Sequence, residues 1–178
     1  MRIIAIFLCS LFFASSALAE TASLKGFAKF ISDAPAEKIN GTASGSADLK
    51  INGSDITSLQ GTISFDVASM KTGNEMRDEH LQGAMWLDAA KYPKITFTIK
   101  GITKDDGKYK VAGEFKLHGV AKAITATAKV KTKGNKIKIM TQFEIALADY
   151  NVKGKSGVVG DKVGKTIQIQ AQLRGTIQ

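Results

Sequence analysis

The chain has 178 residues, 44% of them hydrophobic, and carries 25 Lys and Arg against 16 Asp and Glu for a net charge of +9. That length and apolar content suit one domain with a core of its own. The single Cys, Cys9, excludes an intramolecular disulfide and a Cys-built metal site, and the basic excess does not point to nucleic acid, because no aromatic residues interleave the lysines as a single-strand binder requires.

Residues 1–19 open with Arg2, run apolar from Ile3 to Phe13 and close on Ala17-Leu18-Ala19 before Glu20, which is the pattern of a cleaved signal peptide. The short run argues against a retained membrane anchor, and Cys9 lies inside it without the small residues that precede a lipidated Cys. The expectation is export, with residues 20–178 as the working domain. From there the chain reads as strands at 25–31, 43–51, 60–67, 94–103, 109–117, 121–131, 136–147 and 166–177. Turn signals at Asp105-Asp106-Gly107, His118-Gly119 and Gly134-Asn135 separate the later ones, and a Gly- and Ser-containing connection at 148–165 reads as a rim loop. Eight such strands with no linker or repeat predict an all-β barrel or sandwich.

One stretch, Met70 to Phe97, breaks the alternation. Thr72-Gly73-Asn74 is turn chemistry with Asn74 placed as an N-cap, and Met76, His80, Leu81 and Met85 recur at helical spacing behind Glu75, Asp78 and Glu79. A short helical insertion over 74–90 follows. On the strands, alternation turns Val111, Phe115, Leu117, Ile139, Phe143, Ile145, Ile167 and Leu173 inward, together with the small residues Gly113, Ala126, Ala128, Thr141 and Ala171. Those small residues leave volume for an apolar guest, accommodate barrel taper, or make room for Met76, Leu81, Met85 and Trp86 from the insertion; alternation alone leaves the three open.

Arg77, Asp78, Glu79 and His80 form the one concentrated polar cluster. No nucleophile elbow or other nucleophile signature accompanies it, so the expectation is a protein that is not an enzyme. Asp78 and Arg77 either cap and brace the insertion or, in the case of Arg77 and His80, contact a ligand head group at a barrel mouth. With no third imidazole or thiol beside His80 and His118, no metal site is expected. Charge is divided along the chain. Residues 20–90 hold six Lys and Arg against ten Asp and Glu, whereas residues 91–178 hold eighteen against six. Lys129, Lys131, Lys133, Lys136 and Lys138 straddle the Gly134-Asn135 turn, either as the solvated face of exposed strands or as a patch for anionic membrane headgroups.

The segments Thr72-Gly73-Asn74, Arg77-Asp78-Glu79-His80-Leu81, Asp88-Ala89, Lys91-Tyr92-Pro93 and Ile95-Thr96-Phe97, with the later Leu117-His118-Gly119-Val120-Ala121-Lys122, resemble the motifs of the YceI-like proteins. The resemblance implies a lipocalin-like, eight-stranded antiparallel β-barrel in the periplasm that sequesters a polyprenol, polyprenyl phosphate or isoprenoid quinone as a non-covalent ligand, without other cofactors. Its tunnel lining would be Phe65, Val67, Met76, Leu81, Met85, Trp86, Phe97, Ile99, Phe115, Leu117, Phe143 and Ile145, with Arg77 and His80 at the head group. Lys29-Phe30-Ile31-Ser32-Asp33 stands where the family usually has a first-strand His-Ser pair. A ligand-free interaction or stress-associated barrel is the alternative, and either a monomer or a homodimer fits.

Overall fold

In the computed structural model, which describes residues 19–156 and 158–178, nine strands run antiparallel in one continuous sheet. They are β1 (Glu20–Asp33), β2 (Lys38–Asn52), β3 (Asp55–Gln60), β4 (Thr62–Asp66), β5 (Lys94–Asp105), β6 (Lys108–Leu117), β7 (Val120–Lys133), β8 (Lys136–Ala146) and β9 (Thr166–Ile177). The order is β1-β9-β8-β7-β6-β5-β4-β2-β3, and β1 also pairs with β2 from Glu20↔Ile51 to Asp33↔Lys38, which closes the sheet into a barrel. The leader expected over residues 1–19 lies outside the described residues except for Ala19.

Nine strands occupy eight places around the ring because β3 and β4 pair successively with β2 and are separated only by Gly61. Gly61 has φ +134, and its carbonyl accepts from Ile99 N at 3.0 Å, so the strand is kinked without losing its neighbour. The strand expected at 60–67 therefore begins earlier and ends sooner. Its first half escapes a period-two reading because its buried residues, Ile56 and Leu59, are three apart. β1 and β2 likewise extend beyond the expected 25–31 and 43–51.

Alternation decides the rest. On β6 every second residue from Val111 to Leu117 is buried, and Ala112, Glu114 and Lys116 occupy the exposed positions between. The antiparallel order puts the β1–β2 turn, the 67–93 insertion, the β6–β7 turn and the 147–165 connection at one end of the barrel. The chain's β1 start, the β9 end and the turns at Gly53, Gly107 and Gly134 lie at the other. That second end is solid. Ala22, Leu24, Leu49, Ile51, Ile137 and Leu173 are each at most 2% exposed and form a floor beneath the interior. Within the insertion, α1 (Glu75–Gln82) is a single short helix followed by turns.

Candidate functional site

Above the floor the inward side chains become small. Ala43 pairs with Ala28, Ala28 with Ala171, Ala171 with Thr141 and Thr141 with Ala128, so five directly opposed small residues make a belt across β2-β1-β9-β8-β7. The facing strands β5 and β6 carry Phe97 and Phe115, and Phe143 reaches them from β8: Phe115 lies edge-on to Phe143 at 5.3 Å and to Tyr150 of the 147–165 connection at 5.5 Å, with Phe97 6.4 Å from Phe143. Between belt and rings is a cavity of about 410 Å³, inside the range of roughly 300–1,000 Å³ typical of small-molecule sites. It is lined by all five belt residues, by Phe65, Phe97, Phe115 and Phe143, and on its remaining sides mostly by Ile, Leu and Val.

Not every inward gap is free. A Cβ on Gly41 would meet the Phe30 ring at 2.1 Å, one on Gly45 the Phe65 ring at 2.4 Å, and one on Gly113 the Phe97 ring at 2.3 Å. Each ring lies over a glycine of a neighbouring strand, as in aromatic rescue. Gly113, expected to leave room for a guest, is thus already covered by Phe97, and the free volume is carried by the alanines.

Polar groups on the cavity wall gather at the mouth: Ser32, Glu37, Thr72, Asn74, Arg77, His80 and Lys162, with Thr141 and Tyr109 the polar lining residues deeper on the strands. Thr141 is satisfied locally, its hydroxyl donating to Thr127 O at 3.1 Å. An occupant of the inner cavity therefore meets methyl groups and ring faces with little demand for hydrogen bonding, whereas an end left at the mouth meets donors and acceptors.

The mouth is braced from several sides. Asn74 Oδ1 accepts from Arg77 N at 3.0 Å and caps α1. Asp78, 4% exposed, accepts from Thr72 N and Thr72 Oγ1, both at 2.7 Å, with Lys71 Nζ 3.7 Å away. Burial pushes the Asp78 carboxyl up, but the Thr72 hydrogen bonds and the Lys71 charge together outweigh it and hold the pKa below its ordinary 3.8. Asp78 is thereby a structural anchor, and Arg77 is the group that reaches across. Its Nη1 donates to Glu37 Oε1 at 2.6 Å and its Nε to Thr72 Oγ1 at 3.1 Å, tying the helix to the β1–β2 turn. The 147–165 connection is held by Ala36 N donating to Asp161 O (3.2 Å), by Gly164 N donating to the buried Ser32 Oγ (2.8 Å), and by Trp86, whose ring fills the space a Cβ on Gly154 would need. Beneath it His118 Nδ1 lies 3.3 Å from Tyr150 O and its ring packs edge-on to Tyr92 at 4.9 Å. Burial, reinforced by the Asp149 charge, pushes the Tyr150 phenol up and keeps it neutral.

Phe65, Phe97, Ile99, Phe115, Leu117, Phe143 and Ile145 line the cavity from the strands, and Met76, Leu81 and Trp86 line it from the insertion, with Arg77 and His80 at its mouth. Two candidates are misplaced. Val67 is off the cavity wall because the chain leaves β4 at Asp66 for a 3₁₀ turn, where Val67 N donates to Pro93 O at 3.0 Å and its side chain is buried beneath the insertion. Met85 is 63% exposed because α1 ends at Gln82 and the expected helical phase stops before reaching it. Alternation missed Phe30, Ala28, Ala43 and Ile39 of the β1–β2 wall as well as Val158 and Lys162 of the rim. The inward positions of β1 and β2 are largely Gly, Ala and Ser, which carry little hydropathy signal, and on β1 the outward Phe27 and Ile31 blur the alternation that would mark Phe30. His80 and His118 stand apart, and among the described residues no three His, Cys, Asp or Glu converge on a metal-sized site.

The family model for the YceI-like domain matches residues 20–174. The chain belongs to the YceI-like family. Protein YceI of Escherichia coli O157:H7 is 30% identical over 114 residues, a match that takes in 61% of this chain and 60% of that protein, so the similarity spans less than two thirds of the curated relative. Burkholderia cenocepacia BcnA superposes with a TM-score of 0.76 at 25% identity, over 86% of this YceI-like chain and 96% of BcnA. A polyisoprenoid binding domain from Saccharophagus degradans, implicated in plant cell wall breakdown, superposes with a TM-score of 0.68 over 88% and 99% of the two chains; at 15% identity that likeness is one of fold.

Proposed function

We propose that this YceI-like protein is a periplasmic, non-catalytic carrier that sequesters the tail of an isoprenoid lipid in the barrel. The observation that carries this reading is the belt of Ala43, Ala28, Ala171, Thr141 and Ala128, which hollows an otherwise aliphatic and aromatic interior. Burying hydrocarbon contributes about 0.8 kcal/mol per methylene, so one five-carbon isoprene unit contributes roughly 3–4 kcal/mol before ordering costs. A few units suffice for tight retention. The polyisoprenoid binding domain named above supports the choice of a prenyl chain. The leader-like sequence of residues 1–19 supports export.

At the mouth, Glu37 already sits against Arg77 Nη1, and a second anion there would meet a carboxylate. The exposed His80 and the remaining Arg77 donors suit an uncharged acceptor such as a quinone carbonyl better than a diphosphate. Release follows opening of the rim where Trp86 rests on Gly154.

The test is solvent extraction and mass spectrometry of protein purified from its native periplasm, with Ala171→Phe as the blocked control. A prenyl lipid released from wild type and absent from the variant is the expected result. Wild-type protein that comes out empty and takes up neither quinones nor polyprenols in vitro rejects the carrier reading and favours the ligand-free interaction barrel.

A further inference from the structure

The outer face of the barrel carries a row of cations that the fold brings together from four separate strands. Lys131 on β7 is the direct partner of Lys138 on β8, Lys138 of Arg174 on β9, and Arg174 of Lys25 on β1. Strand spacing of about 4.8 Å puts these four charges within roughly 14 Å. Lys133 and Lys136 form a second like-charged pair one row nearer the closed end. Among the described residues none of these six cations takes part in an ion pair. The acids on the same four strands stand off: Glu20 and Asp33 at the ends of β1, and Glu144 toward the mouth on β8. Asp48 on β2, diagonal to Lys25, accepts from Ser23 Oγ at 2.7 Å.

Like charges placed directly opposite on a sheet destabilise it. Lys that blunts an unpaired strand belongs at a sheet edge, but this sheet is closed at β1–β2 and the row crosses four fully paired strands, so edge protection does not account for it. The same face presents Phe27, 46% exposed and two residues from Lys25, in the adjacent row Met140–Gln172–Phe27. Closely spaced cations beside one exposed aromatic match a headgroup layer, where phosphates neutralise the charges and the ring enters the apolar boundary.

We infer that the β7-β8-β9-β1 wall docks this protein peripherally onto an anionic phospholipid bilayer, with Lys131, Lys138, Arg174 and Lys25 on the phosphates and Phe27 at the boundary. Docking requires no cargo, so it stands or falls separately from the carrier reading.

The test is co-sedimentation of the purified protein with phosphatidylglycerol–phosphatidylcholine vesicles and with phosphatidylcholine vesicles alone. Binding to the anionic vesicles only, weakening as salt is raised, is expected. Each basic side chain near such a surface is worth about fivefold in partitioning, so Lys131→Gln/Lys138→Gln/Arg174→Gln loses on the order of 100-fold. Lys100→Gln/Lys104→Gln/Lys116→Gln, which removes equal charge from β5 and β6, loses far less. Phe27→Ser loses roughly tenfold. A raised melting temperature in the first triple variant shows that lost binding is not lost folding. No binding to anionic vesicles, equal losses in the two triple variants, or an unchanged affinity in Phe27→Ser overturns the proposal. So does displacement of the protein from vesicles by a duplex oligonucleotide that Phe27→Ser binds as tightly as wild type, which assigns the face to nucleic acid.

Discussion

The floor and the belt are two layers of one barrel, contributed largely by the same strands and differing only in side-chain size. Leu24, Leu49, Ile137 and Leu173 make the floor, whereas Ala28, Ala43, Thr141 and Ala171 of the same four strands make the belt. The backbone pairing continues through both, so it is residue volume that turns a packed core into a container. An eight-stranded ring is just wide enough to be filled by its own side chains, and replacing large ones by Ala on one side opens it.

The comparison can be broken most directly at the floor. Leu49→Ala removes a fully buried side chain from the floor and is expected to cost about 2–5 kcal/mol in denaturant unfolding. A loss below about 1 kcal/mol would mean that the floor is as loosely packed as the belt. Next in size is the brace at the mouth. Asp78→Ala strips the acceptor of two Thr72 hydrogen bonds and is expected to cost about 1.5–3 kcal/mol while leaving floor variants additive with it. Because the Asp78 pKa is depressed in the fold, its contribution is complete above 3.8 and is lost as pH falls through the lower folded value. Thermal melts across the acid range should show that limb in wild type and a flatter one in Asp78→Asn.

The belt responds in the opposite sense to the floor. Ala171→Phe adds a ring to existing free volume, so stability should change by less than about 1 kcal/mol while retained lipid falls away; in a filled core the same change costs about 1–3 kcal/mol. Calorimetry and extraction on one preparation read both. The smallest effect lies outside the barrel, where Lys138→Gln relieves repulsion with Lys131 and Arg174 and should raise stability by about 0.2–1 kcal/mol, more at low salt than at high.

The barrel was legible because its later strands announce themselves: on β6 and β8, Val, Ile, Phe and Leu alternate with Lys, Glu and Gln in long runs. The insertion was equally plain from its Asn74 cap and broken period. What escaped were positions where size, not polarity, carries the information. Gly41, Gly45 and Gly113 look like vacant space in the sequence, and only the neighbouring strand's register reveals that Phe30, Phe65 and Phe97 fill it. Ala28 and Ala43 escape for the same reason, although they belong to the same row of small residues as Ala171, Thr141 and Ala128. Glu37 and Lys162 reach the mouth from segments remote in sequence, and no periodicity links them to Arg77. Met85 continues the helical phase in the sequence but lies beyond the eight residues over which the helix persists.

The seam between β1 and β9 also orders events in time. β1 can pair with β2 as soon as the intervening turn is made, but its other neighbour starts at Thr166 and is synthesised after every other strand of the barrel. Until then the nascent sheet keeps an open edge along β1, and its ends must come together across nearly the whole length of the domain. Chains released before β9 is complete cannot complete the ring, and they are the species in which aggregation and chaperone capture should concentrate.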